Sequence, residues 1–423
     1  MRSVIVAAPP VFGETVPVLR VAEGLVRRGH AVTALVGSRF AERAEDIGAR
    51  FVPLHGAADF DDRRLMSDNP ERFALPTGPE QYNWDLINVF VAGMNAQHEA
   101  LQRLLEEDPD AALVANSLCT GMWPVALGAP GRRPRRWVAV VTNPIACDDD
   151  ATTPMGPIPG LSGDEAVRAH RAANAEWHAV LEPTRQAAQL RLTELGAPEP
   201  MPPFYQALYS LPDALAALTV PEFDFPRANP LGNLTYAGIL PAPPGGDPGK
   251  PAWWDDLDSD RPVVAVTQGT IANGDLGQLV EPALRALADQ DVLVVAALGR
   301  DPSVLVGPVP ANARVAKYVP FDELLPRVDL LVTNGGAGGT QLALAAGVPV
   351  VACGATEEKP MTAARVAHHR VGVDLATATP SEAQITEAVT TVLGDPTYRQ
   401  AAGRLREAYA AYDPITTVEA LLR

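Results

Sequence analysis

The stretch at 4–8, VIVAA, is apolar at every position, the pattern of a strand buried on both faces. Residues 18–26 then space their apolar side chains as a helix does. Arg27, Arg28, Gly29 and His30 close that helix with cations and a glycine. Residues 31–36 form the next strand. Strand, helix, strand with a right-handed crossover builds a parallel sheet. The stretches at 110–115 and 137–141 read as two further strands of it. The rhythm returns in the second half, with strands at 262–267, 292–298 and 328–333 and helices at 279–288 and 341–346. Between the halves lies PAPPGGDPGKP, residues 241–251, whose composition is that of a linker. The expected fold class is α/β: two doubly wound Rossmann-like domains facing each other across a cleft, with ligands at the carboxyl ends of the strands.

Residues 60–95 and 143–210 break this rhythm. They are proline-rich and carry Phe60, Phe73, Tyr82, Trp84, Phe90, Trp177, Phe204, Tyr205 and Tyr209. Two readings stay open, helical cover for the first sheet or an apolar wall for a ligand. In the second reading Phe12, Phe73, Trp84, Phe90, Ile145 and Trp177 are the candidate wall residues.

Charge narrows the function. The 423 residues hold 34 Lys+Arg against 51 Asp+Glu, a formal net charge of −17. That balance disfavours nucleic acid and anionic membranes as partners. No apolar run approaches the roughly 18 residues of a membrane helix, and MRSVIVAAPP reads as a first strand and not as a signal peptide. Cys119, Cys147 and Cys353 are far apart and form no metal-spaced cluster. The expectation is a cytoplasmic protein with reduced cysteines. The acidic runs Asp148-Asp149-Asp150 and Asp255-Asp256 read as solvated loops.

The most specific chemistry lies at TNGGAGGT, residues 333–340, which follows a buried strand and opens a helix. Glycines let the backbone turn sharply and approach a ligand. The helix start then offers unpaired N–H groups and a positive dipole end, suited to a diphosphate. No Gly-Lys-Ser/Thr closes the turn, so it is not a Walker A loop. Tight strand–helix packing explains the bare turn equally well.

The continuation, NGGAGGTQLALAAGVPVVACGATEEKP, resembles the donor-binding signature of family-one glycosyltransferases of the two-domain (GT-B) type. Ala343-Leu344 and Gly347-Val348-Pro349 stand in the family's places without a gap. The family's turn histidine is Asn334 here, its acid is Glu358, and its sugar-facing glutamine is Lys359. These changes place the resemblance with a bacterial branch that acts on macrolides, other polyketides and similar lipophilic aglycones. The resemblance implies a diphosphate held by Gln268, Gly269, Thr270, Asn334, Gly335, Gly336, Gly338, Gly339 and Thr340. It implies a base stacked on Tyr318 and paired by the backbone of Val319, and a sugar contacted by Glu358 and Lys359. It also implies domains at 1–225 for the acceptor and 261–400 for the nucleotide sugar. A connecting region at 226–260 and a C-terminal helix at 401–423 that crosses back to the first domain complete the division. No cofactor and no metal are expected, and the chain is a monomer or homodimer.

The implied reaction is an inverting transfer from a UDP- or TDP-sugar to a hydroxyl of a polyketide, macrolide or phenolic aglycone. Relatives place a catalytic histidine in the turn after the first strand. That position here is Glu14, and the aspartate that orients the histidine falls on Asn116. Three sources of the base stay open: Glu14 itself, a histidine such as His98 or His170, or an acceptor such as a phenol, with pKa about 10, that needs little help. A sugar-nucleotide epimerase on the same fold and a non-catalytic sugar-nucleotide-binding protein are the competing functions.

Overall fold

The computed structural model describes residues 2–240, 249–269 and 273–423, and of Met66 and Phe73 the backbone alone. Much of the linker stretch, 241–248, and the candidate Thr270 therefore lie outside the described residues, as does the side chain of Phe73.

The first sheet has seven parallel strands: β1 (Ser3–Ala7), β2 (Ala31–Val36), β3 (Arg50–Pro53), β4 (Ala112–Asn116), β5 (Trp137–Val141), β6 (Ala214–Ala217) and β7 (Leu234–Tyr236). Their order is β3-β2-β1-β4-β5-β6-β7. The second sheet joins β8 (Val263–Thr267), β9 (Leu293–Ala297), β10 (Ala313–Ala316), β11 (Leu330–Thr333), β12 (Val350–Ala352) and β13 (Gly372–Asp374). Its order is β10-β9-β8-β11-β12-β13. In both sheets the order reverses once, between β1 and β4 and between β8 and β11. Loops that leave the strands there part to opposite faces and open a crevice at the carboxyl ends.

Register and burial explain why these runs are strands. Val4 and Val6 pair with Val32 and Ala34 on one side and with Ala112 and Val114 on the other. All six are at most 5% exposed. Val18, Leu19 and Leu25 of the helix α1 (Phe12–Arg27) close over them. Each such side chain contributes about 1.5–3 kcal/mol on leaving water. A second core, around Val264, Val294, Leu330 and Val351, fills the other unit.

Three expectations need correction. Glu14, expected from the resemblance in the turn after the first strand, lies instead in the start of α1, which begins at Phe12. Pro17 lies inside this helix and, lacking a backbone donor, removes one i→i−4 hydrogen bond. Phe12 N–H is capped by the Asp62 carboxylate at 2.7 Å. The domain boundaries also differ. One compact unit comprises Met1–Leu218, Pro226–Leu240 and Asp413–Arg423, the other Thr219–Phe225 and Pro241–Tyr412. So 219–225 leaves the first unit, and 226–240 is no linker, since it supplies β7 to the first sheet. The helix that returns to the first unit is Pro414–Leu421, whereas Pro396–Ala410 packs in the second, where Tyr409 donates to Gln341 at 2.9 Å. Asp149, finally, is not solvated. It is 2% exposed and accepts from the N–H groups of Ala151, Ala228 and Asn229 at 2.7, 2.9 and 2.8 Å.

Candidate active site

Each unit gathers candidate residues at its own point of strand-order reversal. In the first unit the loop after β1 delivers Glu14 in the first turn of α1, and β4 ends on Asn116. The two side chains meet, with Asn116 Nδ2 donating to Glu14 Oε2 at 2.6 Å. Two residues that the sequence did not single out complete the cluster, Thr142 and Asn143, which follow β5. Thr142 Oγ1 donates to Glu14 Oε2, and Asn143 Nδ2 donates to Glu14 Oε1 at 3.0 Å. Glu14 is 8% exposed. Its carboxylate accepts only from side chains among the described residues, so it does not cap α1. A carboxylate has about four lone-pair sites. Three are used, and one on Oε1 remains open for a proton. No motif marks Thr142 and Asn143; their sole signal is their place at the carboxyl end of a buried strand.

The two candidate histidines have other duties. His170 accepts from Ile158 N–H at 3.0 Å through Nε2 and donates from Nδ1 to the Asp150 carbonyl at 2.9 Å. Both nitrogens are spent. His98 is held by the Gly121 carbonyl at 3.1 Å, and burial pushes its pKa below the usual histidine value. The thiols of Cys119 and Cys353 are pushed up to about 12 by burial, which leaves both as inert apolar groups.

The aromatic candidates divide. Phe204, Tyr205 and Tyr209 are core residues at 1%, 6% and 2% exposure, and Ile145 at 2% has no face to offer a ligand. Trp84, Phe90 and Trp177 are half-buried. Trp177 lies 6.1 Å from Tyr82 and 6.3 Å from Tyr205, ring centre to ring centre. Its buried indole N–H has no partner among the described residues. Phe12 packs beneath the guanidinium groups of Arg39 and Arg43, each 5.8 Å from its ring centre. Helical cover for the first sheet is therefore the role of the buried rings Phe204, Tyr205 and Tyr209.

In the second unit the glycine turn joins β11 to the helix Ala337–Ala345. Gly335 sits at φ +82°, a conformation that favours glycine. Ala337 N–H reaches the Glu358 carboxylate at 3.4 Å. The N–H groups of Gly338 and Gly339 have no partner among the described residues, as expected of a first helical turn. A methyl group added at Gly338 or Gly339 would meet nothing within 4 Å, so both face open space. Thr340, by contrast, is fully buried.

Asn334 bridges the reversal point, since its Nδ2 donates to the Gln268 carbonyl at 2.7 Å. Gln268 is 2% exposed, and its own side chain is a brace. Its amide donates to Asp275 O at 2.8 Å and accepts from Val280 N–H at 3.3 Å. Gly269, at φ +78°, carries the chain beyond it. Lys359 is 6% exposed and its ammonium is turned to Glu357. Tyr318, beyond β10, is 50% exposed, so it is not a core aromatic, whereas Val319 is 8% exposed. Asn273, which sequence reasoning missed, is 7% exposed and holds the Gly269 carbonyl at 3.1 Å. Among the described residues no three His, Cys, Asp or Glu side chains are grouped to hold a metal ion, and no helix is long and apolar enough to cross a membrane.

Comparison with known proteins adds to this geometry. Residues 281–421 match the family described as erythromycin biosynthesis protein CIII-like, C-terminal domain. The chain is 37% identical over 417 residues to 4'-demethylrebeccamycin synthase of Lentzea aerocolonigenes, covering 97% of this chain and 96% of that protein. It is 34% identical over 430 residues to UDP-glycosyltransferase 2 of Phaeomoniella chlamydospora, covering 98% and 94%. Among solved structures it is similar to the calicheamicin glycosyltransferase, with a TM-score of 0.71 at 22% identity over 100% of this chain and 98% of that one. A spinosyn rhamnosyltransferase complexed with thymidine diphosphate gives a TM-score of 0.68 at 18% identity, with 100% of both chains covered.

Proposed function

The chain belongs to the family-one glycosyltransferases with two doubly wound domains, and from that premise we propose an inverting transfer of a sugar from a UDP- or TDP-sugar to a hydroxyl of a lipophilic natural product. The observation that carries the donor half is the glycine turn at the start of the helix Ala337–Ala345, where an added carbon at Gly338 or Gly339 would meet only open space. In this reading those dipoles hold the diphosphate and stabilise the charge it gathers as it leaves. The half-exposed ring of Tyr318 stacks on the nucleobase. Glu358, at the helix start, faces the sugar. The relative named 4'-demethylrebeccamycin synthase, 37% identical, supports a natural-product acceptor. Trp84, Phe90 and Trp177 supply the apolar wall.

Glu14 is the base. The acceptor oxygen attacks the anomeric carbon, and its proton passes to Glu14. The electron pair of the broken sugar–phosphate bond leaves with the nucleoside diphosphate. Asn116 orients the carboxylate, with both its N–H bonds spent on Glu14 and Thr142. No metal has a role in the reaction. We place the protein in the cytoplasm, a reading that its three buried cysteines, none in a disulfide, support.

Glu14→Gln keeps the shape and removes the base. General-base catalysis contributes about 10²–10⁴-fold, so turnover on an alkyl alcohol should fall within that range while donor affinity holds. On a phenol the loss should shrink as the assay pH nears the phenol's pKa. Unchanged turnover on the alkyl alcohol would remove Glu14 from the reaction.

A further inference from the structure

We propose that Thr142 and Asn143 are positioning residues that decide which oxygen of Glu14 takes the acceptor's proton. The proposal rests on Glu14 as the base. A glutamate's last torsion joins tetrahedral to planar carbon and has little preference of its own. Something outside the side chain must therefore set the carboxylate's plane.

The hydrogen-bond inventory shows what does. Asn116 Oδ1 accepts from the main-chain N–H of Leu118 at 2.8 Å, which fixes the amide's orientation. Its two N–H bonds then point to Glu14 Oε2 at 2.6 Å and to Thr142 Oγ1 at 3.1 Å. Because Thr142 accepts there, its single O–H is left to donate, and it donates to the same Oε2. Oε2 thus holds two donors and has no site left for a proton. Oε1 holds one, from Asn143 at 3.0 Å, and keeps one site. The backbone cannot shift to compensate, since Glu14 N–H and Thr15 N–H both bind the Val11 carbonyl, at 3.0 and 2.8 Å. Oε1 is the oxygen that receives the proton when the glycosidic bond forms and the bond to the diphosphate breaks. Without Thr142 the carboxylate turns, and its open site no longer meets the acceptor's O–H.

The test is a double-mutant cycle with an alkyl alcohol acceptor. Thr142→Val keeps the branched shape and removes the hydroxyl. Its kcat should fall about tenfold, the size expected for a lost hydrogen bond to a charged group, with both KM values unmoved. Thr142→Ser, which restores the hydroxyl, should recover kcat. In a Glu14→Gln background Thr142→Val should make no further difference, because Thr142 acts through Glu14. Should Thr142→Val fail to fold, Asn143→Ala is read in the same cycle, with the same fall in kcat expected in the wild-type background and none in Glu14→Gln. The proposal is overturned if Thr142→Val or its substitute costs as much in the Glu14→Gln background as alone, or if kcat is unchanged, or if the serine variant stays as slow as the valine one. Those results leave Glu14 as the base so long as Glu14→Gln itself is slow. A Glu14→Gln enzyme at full speed would instead overturn both the base and its positioning.

Discussion

Two small residues carry the donor half of the account. Gly338 and Gly339 open the helix Ala337–Ala345 with N–H groups that no described residue uses. Added carbon at Gly338 meets nothing within 4 Å, so the fold itself should accept a side chain there. Gly338→Val should unfold at nearly the wild-type temperature yet lose nucleotide-sugar binding in calorimetry, because the valine occupies the ligand's place. Wild-type affinity in the folded variant would move the diphosphate elsewhere. At this scale the sequence was partly readable. Glu14 and Asn116 could be placed because they stand where the resemblance puts the family's histidine and its partner aspartate, and they do meet. Thr142 and Asn143 could not, since a hydroxyl and an amide after a strand are common, and only the fold brings them to Glu14. Lys359 was legible as a charge and not as a partner of Glu357, because pairing over two residues depends on how the chain turns, and Glu357 sits at φ +59°.

At the level of elements, the strap 219–225 is the least expected feature. It leaves the first sheet after β6 and joins the second unit before the chain returns to form β7. Asp224 binds Arg365 of the helix Lys359–His368 at 2.8 Å, with both side chains 2% exposed. Arg365 also lies 4.2 Å from the ring centre of Phe225, and His369 Nε2 donates to the Asp224 carbonyl at 3.0 Å. Removing one partner of a buried pair leaves the other charge stranded and costs about 3–5 kcal/mol. Asp224→Ala should therefore lower the stability of the second unit by that order in denaturant unfolding, with Asp224→Asn losing less. A change below about 0.5 kcal/mol would mean that the strap is not tied by this pair. The strap was hidden in the sequence because its anchor is 141 residues away. Apolar runs of five or six residues revealed most of the longer strands. Three- and four-residue strands such as β6, β7 and β13 are too short for periodicity to announce.

For the whole molecule, two halves with the same strand-order reversal follow from a chain whose βαβ rhythm repeats, and this much was legible from apolar patterning alone. The residue-level exchange of the chain between the two units was not, because composition marks a flexible stretch but not where each unit's contacts end. The central claim is that this molecule joins a sugar to an acceptor hydroxyl through these residues without a metal. The measurement that tests it most directly is mass spectrometry of the purified protein with UDP- and TDP-sugars, offered alkyl alcohol and phenolic acceptors, with and without EDTA. The account predicts an acceptor heavier by one glycosyl residue, nucleoside diphosphate released in equal amount, and the same yield in EDTA. An epimerised sugar nucleotide with the acceptor untouched, or transfer that stops in EDTA, would contradict it.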